Sequence, residues 1–320
     1  MSPAKTNEDP KISVADFVKN APAELDVEVL AGKNGLRQKR IVSSRIQKLG
    51  LALAGFSHYI HAGRVQIVGQ SEISYLAQLE SKQRIEALNN LDLDKISCVL
   101  ITKNLEPPPE LKLVAEEKNL PVLRTARVSS KAINLVSTHL LKVLAPKTTR
   151  HGVLMEMYGL GVLIVGDSGI GKSECALDLI TRGHRLISDD TIILKRIGDC
   201  LEGSSPELTY EHLEIRGLGI INVRDLFGVS AVGEPKPIEL VVEVKRWIDA
   251  ADVERLGLDR QEEEIFGVKI TKFVLPVSAG RNLSTLIETA VRIHLLRNSG
   301  FDAAKTLVEK HSALLKSNVN

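Results

Sequence analysis

Short apolar runs alternate with helical patterns between about residues 12 and 127. An apolar run bounded by turn residues predicts a buried strand, and apolar positions spaced three or four residues apart predict a helix. The predicted strands are 65–69, 98–102 and 121–123, and the predicted helices are 84–88, 111–118 and 129–144. This alternation is typical of an α/β domain.

The second half of the chain has its own pattern. An apolar run at 162–165 predicts a strand, and the apolar face of 174–180 predicts a helix that follows a glycine-rich turn. A last helical pattern extends over 283–296, and either Asn282 or Ser284 is placed to cap it.

The glycine-rich turn reads Gly-Asp-Ser-Gly-Ile-Gly-Lys-Ser, which has the spacing of a phosphate-binding loop (P-loop). Gly166 and Gly171 let backbone N–H groups approach phosphate oxygens. Lys172 is placed to reach the β- and γ-phosphates, and Ser173 offers a hydroxyl to Mg²⁺. The alternative is an ordinary glycine-rich turn, but the strand before it and the helix after it favour a phosphate site. The residues predicted to bind a nucleotide or another polyphosphate are Gly166, Asp167, Ser168, Gly169, Ile170, Gly171, Lys172 and Ser173.

The length of 320 residues is enough for two domains with separate cores, and 43% of the residues are apolar. A stretch at 146–150 looks like a linker. We therefore predict an α/β protein that consists of an N-terminal α/β domain over 1–135 and a C-terminal P-loop nucleotide-binding domain over 136–320.

Composition argues against several classes of function. The formal net charge is only +2 and aromatic residues make up 3% of the chain, which argues against a nucleic-acid-binding surface. The three cysteines lack the spacing of a zinc site or a disulfide framework. No apolar run is long enough to span a bilayer, and the polar N-terminus has no signal-peptide pattern. We expect a cytoplasmic protein with neither a nucleic-acid nor a membrane partner.

Two adjacent carboxylates, Asp189 and Asp190, follow a short apolar run beyond the predicted helix. In a parallel sheet, the carboxyl ends of the strands open into the same crevice as the phosphate loop. One carboxylate is then placed to hold Mg²⁺ or its water, and the other to take a proton from an attacking hydroxyl. The alternative is a polar turn in which Asp190 caps a local group. The position of the pair after the loop favours a functional role.

The stretch 213–223 reads Leu-Glu-Ile-Arg-Gly-Leu-Gly-Ile-Ile-Asn-Val. A carboxylate and a guanidinium alternate on one face of the predicted strand, and two glycines follow among large aliphatic residues. The glycines predict either a close approach of the backbone to another group or an exposed edge strand with a bulge. His151 lies before an apolar strand, and its position alone is typical of a packed or solvated histidine.

Together these motifs resemble the bacterial HPr kinase/phosphorylase family. Their order and spacing agree with that family, and the resemblance covers most of the chain. The matching stretches are His151-Gly152, 166–174, 182–190, 213–221 and 280–283, with further similarity around 53–56 and 66–69.

The resemblance implies a bifunctional enzyme that regulates carbon metabolism and the sugar phosphotransferase system. Such an enzyme phosphorylates a serine of the phosphocarrier protein HPr, or of an HPr-like protein, with ATP or pyrophosphate as donor. It also removes that phosphate with inorganic phosphate and releases pyrophosphate. The implied cofactor is Mg²⁺, the implied assembly is a homohexamer, and the implied catalytic fold resembles the nucleotide domain of phosphoenolpyruvate carboxykinase.

The resemblance also implies roles for individual residues. Lys172 holds the phosphates, and Ser173 and Glu214 coordinate Mg²⁺. Asp190 is the implied base of the kinase reaction and the acid of the reverse reaction. Asp189 is implied to support the metal or the base.

His151 and Arg255 are carried over from the family as further catalytic positions, and the loop 276–281 corresponds to a region tied to dephosphorylation. Asn222 stands where many relatives have Asp, and Ala279 where many have Pro. Neither departure removes a group that the implied mechanism requires.

Two other functions fit the phosphate loop. One is a kinase or carboxykinase-like enzyme that phosphorylates a small metabolite, which would not transfer label from ATP to HPr. The other is a nucleotide sensor without turnover, and the adjacent carboxylates argue against it.

Overall fold

The computed structural model describes residues 10–56, 58, 60–246, 261–278 and 281–317. Two compact units divide between Pro146 and Lys147. The predicted boundary at 135/136 instead falls inside a helix, Ser129–Val143, because the buried face of that helix packs as a whole into the core of the first unit.

The first unit has a five-stranded sheet, a two-stranded sheet and six α-helices among its described residues. Its strands are β1 (Ile12–Ser13), β2 (Glu28–Ala31), β3 (Arg40–Ile41), β4 (Gln47–Lys48), β5 (Arg64–Val68), β6 (Ile96–Ile101) and β7 (Val122–Arg124). Its helices are α1 (Val14–Asn20), α2 (Gly50–Leu53), α3 (Gln70–Gln78), α4 (Ser81–Asn89), α5 (Pro109–Glu117) and α6 (Ser129–Val143).

The larger sheet of this unit has the order β2-β7-β6-β5-β4, and only the edge strand β2 is antiparallel to its neighbour. All six residues of β6 are buried because helices cover both faces of the sheet. Cys98 packs in the core that contains residues of α1 and α6, whereas Val99 packs in the core that contains residues of α3 and α5. The predicted strands and helices of the first half are confirmed, with shifts of their ends.

The second unit contains the other strands and helices. Its strands are β8 (Lys147–His151), β9 (Val153–Met157), β10 (Leu160–Gly166), β11 (Arg185–Ser188), β12 (Thr191–Ile197), β13 (Cys200–Ser204), β14 (His212–Ile215), β15 (Gly219–Asn222), β16 (Lys236–Arg246), β17 (Gln261–Ile265) and β18 (Val268–Val277). Its helices are α7 (Lys172–Thr181), α8 (Val223–Phe227), α9 (Leu283–Asn298) and α10 (Ala303–Ser317).

Nine of these strands form one mixed sheet, in which β10, β16 and β18 are parallel and β14 and β15 form a separate hairpin. The order β11-β9-β10 interposes an antiparallel strand between the two strands that lead into the predicted site. The sheet is therefore not the parallel one that the sequence suggested. Because β10 and β11 are each antiparallel to β9, they run in the same direction and end at the same edge of the sheet.

Alternating residues of the central strands pack on opposite faces of this sheet. Ile164 lies in the core that includes Leu179 of α7 and Ile287 of α9, and Val165 lies in the core that includes Leu194 of β12. These layers leave the carboxyl end of β10 and the start of α7 at the rim of the sheet. Across the described residues, the helices lack the combination of length and apolarity that crossing a membrane requires.

The structure shows which of the two candidate residues, Asn282 or Ser284, caps α9. The side chain of Asn282 accepts a hydrogen bond from the backbone N–H of Thr285 at 2.9 Å, so Asn282 is the N-cap. Ser284 is buried instead, and its hydroxyl lies 3.3 Å from the sulfur of Cys175 on α7.

Candidate active site

The phosphate loop leaves the sheet at Gly166, where the backbone passes close to a neighbouring strand. A Cβ atom at this position would lie 2.5 Å from the carbonyl oxygen of Val244 on β16, and φ is 155°. Glycine is therefore required here by space as well as by conformation. After the turn, α7 begins at Lys172, so its N-terminus faces the loop.

The side chain of Lys172 folds back across the loop. Its ammonium donates hydrogen bonds to the carbonyl oxygens of Gly166 at 2.9 Å and of Asp167 at 2.8 Å. The positive charge therefore lies within the loop, beside the backbone that the sequence predicts to hold phosphate oxygens.

Asp189 and Asp190 form the tight turn between β11 and β12. Asp190 has φ of 59°, a left-handed conformation that aspartate tolerates better than most residues. Asp189 is only 5% exposed, whereas the side chain of Asp190 is 74% exposed. The turn therefore places two adjacent carboxylates in different environments.

Asp189 accepts hydrogen bonds from two other elements. The hydroxyl of Ser173 lies 3.1 and 3.2 Å from its two oxygens, and the backbone N–H of Glu214 lies 3.2 Å from Oδ2. Burial raises the pKa of Asp189 above its ordinary value, and these hydrogen bonds oppose the rise without cancelling it. The carboxylate joins α7 to the hairpin β14–β15.

Asp190 faces the cleft together with His151. Nδ1 of His151 lies 3.4 Å from Oδ1 of Asp190. The backbone holds the two residues together, because β8 and β12 pair His151 with Thr191 and the N–H of Gly152 donates to the carbonyl of Asp190 at 3.0 Å. His151 is thus a solvated residue that borders the cleft, and not a packed one.

The hairpin β14–β15 places Glu214 and Arg216 on its exposed side and buries Leu213. The predicted alternation of carboxylate and guanidinium is confirmed. Of the two alternatives for the glycines, the structure favours the exposed one, because a Cβ atom at Gly217 or Gly219 would have no atom of the described residues within 4 Å apart from those of its own chain neighbours. Their φ values, 87° and 85°, show that the turn requires glycine for its left-handed conformation.

These elements enclose an open cleft of about 460 Å³ at the rim of the sheet. Asp167 and Ile170 belong to the loop but do not line the cleft, and Arg255 lies outside the described residues, as do Ala279 and Gly280 of the loop 276–281. The lining residues are His151, Gly152, Gly166, Ser168, Gly169, Gly171, Lys172, Ser173, Glu174, Asp189, Asp190, Glu214 and Arg216.

Glu174 and Arg216 line the cleft but are not among the site residues predicted from the sequence. The guanidinium of Arg216 lies beside the phosphate loop, since a Cβ atom at Gly169 would be 3.5 Å from its Nη1. Its alternation with Glu214 along β14 was the available signal. Arg216 adds a second cation to the cleft besides Lys172, and a guanidinium suits phosphate oxygens.

The oxygen atoms at the cleft fit a small hard cation. The hydroxyl of Ser173 and the carboxylates of Asp189 and Glu214 are ligands of the kind that Mg²⁺ prefers. Within the described ranges there is no group of three or more His, Cys, Asp or Glu residues that could hold a metal by themselves. Mg²⁺ commonly uses one or two carboxylates together with phosphate oxygens of the substrate, and this donor set agrees with such a site.

A network of charges supports the strand that carries His151. The guanidinium of Arg150 on β8 pairs with the carboxylate of Glu263 on β17. Lys272 on β18 lies 3.7 Å from Glu263 and 2.8 Å from Glu243 on β16. Since β8 pairs with β12 alone in the sheet order, this network is a second attachment of β8.

Asn222 lies at the end of β15 and caps α8. Its side-chain oxygen accepts a hydrogen bond from the backbone N–H of Asp225 at 3.0 Å. Asn and Asp are about equally good N-caps, so the departure from Asp at this position preserves the local structure.

Comparisons with known proteins match both units. The family model described as HPr Serine kinase N terminus matches residues 12–140, and the one described as HPr Serine kinase C-terminal domain matches residues 142–311. The HPr kinase/phosphorylase of Geobacter sulfurreducens is 44% identical over 300 residues, which are 93% of this chain and 94% of that protein. The HPr kinase/phosphorylase of Caldicellulosiruptor bescii is 40% identical over 288 residues, which are 90% of this chain and 93% of that protein.

One solved structure among the similar proteins is that of the Hpr(Ser) kinase/phosphatase from Coxiella burnetii. It is 37% identical, it covers 50% of this chain and 98% of its own, and the TM-score is 0.46.

We expect Asp189→Asn to raise the melting temperature at neutral pH. Because the pKa of Asp189 is raised in the folded state, the folded protein binds this proton more tightly than the unfolded chain. The wild type therefore loses stability as the pH rises from the ordinary value of 3.8 through the folded pKa, and the asparagine variant avoids that loss. Scanning calorimetry without Mg²⁺ or nucleotide, between about pH 4 and pH 8, measures the difference.

Asp178→Asn is the matched control, since hydrogen bonds from Ser284 and Arg182 lower the pKa of Asp178. Its effect on the melting temperature should have the opposite sign and should vanish at low pH. If Asp189→Asn instead melts at a lower temperature than the wild type, by a difference that grows with pH, the effect assigned to burial is contradicted.

Proposed function

The chain belongs to the HPr kinase/phosphorylase family, and we propose that the cleft at the end of β10 performs both reactions of the family. The enzyme phosphorylates a serine of HPr and removes that phosphate again. The observation that supports one site for both directions is the meeting of Lys172, Ser173, Asp189 and Asp190 in a single cleft.

Phosphoryl transfer needs positioning and neutralisation of charge more than covalent chemistry. In our proposal, the loop backbone, Lys172 and Arg216 bind the polyphosphate of ATP. The residues that hold Mg²⁺ are Ser173 and Glu214, with Asp189 orienting the hydroxyl of Ser173. When bound, Mg²⁺ supplies positive charge that draws negative charge off the transferred phosphoryl group.

Asp190 is the proposed proton acceptor. Its side chain is exposed to the cleft, whereas the carboxylate of Asp189 is buried and already engaged by Ser173 and the N–H of Glu214. Asp190 takes the proton from the seryl hydroxyl as the phosphoryl group arrives. In the reverse direction it returns a proton to the departing seryl oxygen, and His151 orients the carboxylate in both directions.

Further parts of the proposal come from family membership. Inorganic phosphate is the acceptor in dephosphorylation and pyrophosphate the product, and pyrophosphate also serves as a donor. The protein assembles as a homohexamer, its second unit shares the nucleotide fold of phosphoenolpyruvate carboxykinase, and Arg255 takes part in catalysis. Light scattering measures the assembly, and Arg255→Ala tests the role of Arg255 through both reaction rates.

We expect this protein to phosphorylate purified HPr with Mg²⁺ and ATP, and to remove the phosphate when excess inorganic phosphate is added. Lys172→Ala should abolish both activities, because the variant loses several kcal/mol of transition-state stabilisation. Seryl-phosphate on HPr and released pyrophosphate are measured at each step. A Lys172→Ala variant that keeps near-normal rates in either direction would rule out the phosphate-loop assignment.

The two adjacent carboxylates should respond differently to neutralisation. Asp190→Asn should lose both activities at every Mg²⁺ concentration and still bind ATP, because no carboxylate remains to accept the proton. Asp189→Asn should lose less activity or recover partly as Mg²⁺ rises, because Asp189 supports the cation site and does not accept the proton. The measurement is rate against Mg²⁺ concentration, with nucleotide affinity recorded separately. If Asp189→Asn is the variant that Mg²⁺ does not rescue, the two roles are reversed.

The pair Arg150–Glu263 should act on turnover and leave binding unchanged. We expect Arg150→Met and Glu263→Gln each to lower kcat on the order of tenfold in both directions, since a small displacement of His151 and Asp190 misaligns the proton transfer. The affinity for ATP should stay at the wild-type value. The double variant should be no slower than either single variant, because both remove the same attachment.

Glu156→Gln provides a matched control. Glu156 is 19% exposed, like Glu263, and pairs with Arg185 and Lys236, each at 3.2 Å, but it lies opposite Gly161, near the start of β10. Its kcat should remain near the wild-type value. Equal losses of kcat in the Glu156 and Glu263 variants would show that the loss comes from lower stability in general and not from the attachment of β8.

A further inference from the structure

Two hydroxyl side chains flank the adjacent carboxylates, and the mechanism above gives neither of them a role. Ser188 is the last residue of β11 and Thr191 is the first residue of β12. The hydroxyl of the buried Ser188 donates a hydrogen bond to the carbonyl oxygen of Thr191 at 2.7 Å. The backbone N–H of Thr191 donates to the carbonyl oxygen of Asp189, also at 2.7 Å. These bonds fix the backbone of the residue that follows Asp190.

The side chain of Thr191 contacts the proposed proton acceptor. Oγ1 of Thr191 donates a hydrogen bond to Oδ2 of Asp190 at 3.3 Å, and Nδ1 of His151 lies 3.4 Å from Oδ1 of the same carboxylate. The two carboxylate oxygens therefore have partners on different strands, β12 and β8. A carboxylate oxygen accepts more than one hydrogen bond, so both oxygens keep the capacity to receive a proton.

Asp190 needs such contacts because its side chain is 74% exposed. An exposed carboxylate rotates among several staggered positions, and a contact that selects one of them reduces this freedom. Proton transfer requires the acceptor within a narrow range of distances and angles. The left-handed backbone of Asp190 and the bond from the N–H of Gly152 fix only where the side chain begins. The direction of the carboxylate depends on the groups that contact its oxygens.

We propose that Thr191 is a positioning residue that holds the carboxylate of Asp190 in the orientation that accepts the seryl proton. This inference rests on the proposed function and concerns how its proton acceptor is oriented. Thr191 is not among the residues that line the cleft, so it acts through Asp190. Thr191 and His151 are also register partners in the sheet, which places both contacts of the carboxylate on one pair of strands.

The test uses the full chain with Thr191→Val and Thr191→Ser. Valine keeps the β-branched shape that a strand favours and lacks the hydrogen-bond donor, whereas serine keeps the donor. Thr191→Val should lower kcat about fivefold in both directions, and Thr191→Ser should stay within about twofold of the wild type. Seryl-phosphate formed on HPr and pyrophosphate released measure the two rates. KM for HPr, the affinity for ATP and the melting temperature should remain at wild-type values.

Thr148→Val is the matched control. Thr148 is half-buried like Thr191, but it lies opposite Leu194, away from the turn. Its kcat should equal that of the wild type.

Three results would overturn the inference. One is a kcat of Thr191→Val within about twofold of the wild type. Another is a loss of kcat that Thr191→Ser or Thr148→Val shares in full, because the loss would then come from altered packing and not from the missing hydrogen bond. The third is a rise in KM at unchanged kcat, which would assign Thr191 to substrate binding. Failure of the proposed function is distinguishable, because Asp190→Asn would then keep its activity, whereas failure of this inference alone leaves Asp190→Asn inactive.

Discussion

The arrangement of the cleft depends on one buried carboxylate. Asp189 holds the hydroxyl of Ser173 at the start of α7 and the backbone of Glu214 on β14, and it lies in the turn that also carries Asp190. Burying a carboxylate is unfavourable, and the raised pKa of Asp189 records that cost. Its hydrogen bonds offset part of the cost, and in return three separate elements are held in register around the phosphate loop.

The turn that contains Asp189 and the left-handed Asp190 gives the two carboxylates different environments. Both side chains line the cleft, but Asp189 is buried at its base, whereas Asp190, at a left-handed φ of 59°, is exposed. One carboxylate is thereby buried and hydrogen-bonded, and the other stays exposed to solvent. Different environments for adjacent acids are a general way to assign different chemistry to the same residue type.

Local parts of the site could be predicted from the sequence, because they depend on nearby residues. The spacing of Gly166, Gly171 and Lys172 predicted the loop, and the pattern after Asn282 predicted a capped helix. Contacts between residues distant along the chain left no such signal. The carbonyl of Val244 behind Gly166, the pairing of Arg150 with Glu263 and the insertion of β9 between β10 and β11 all required the structure.

The cleft is lined mostly by charged and polar groups of the kind that suit phosphate oxygens and a hard cation. Phosphate groups are common to every phosphorylated serine, so residues of this kind do not distinguish one protein from another. Selectivity must come from surface that the phosphate does not touch. In the hairpin β14–β15, the antiparallel register places the cleft residue Glu214 directly beside an exposed aliphatic residue, Ile220. One two-stranded element thus presents polar surface to the cleft and apolar surface next to it.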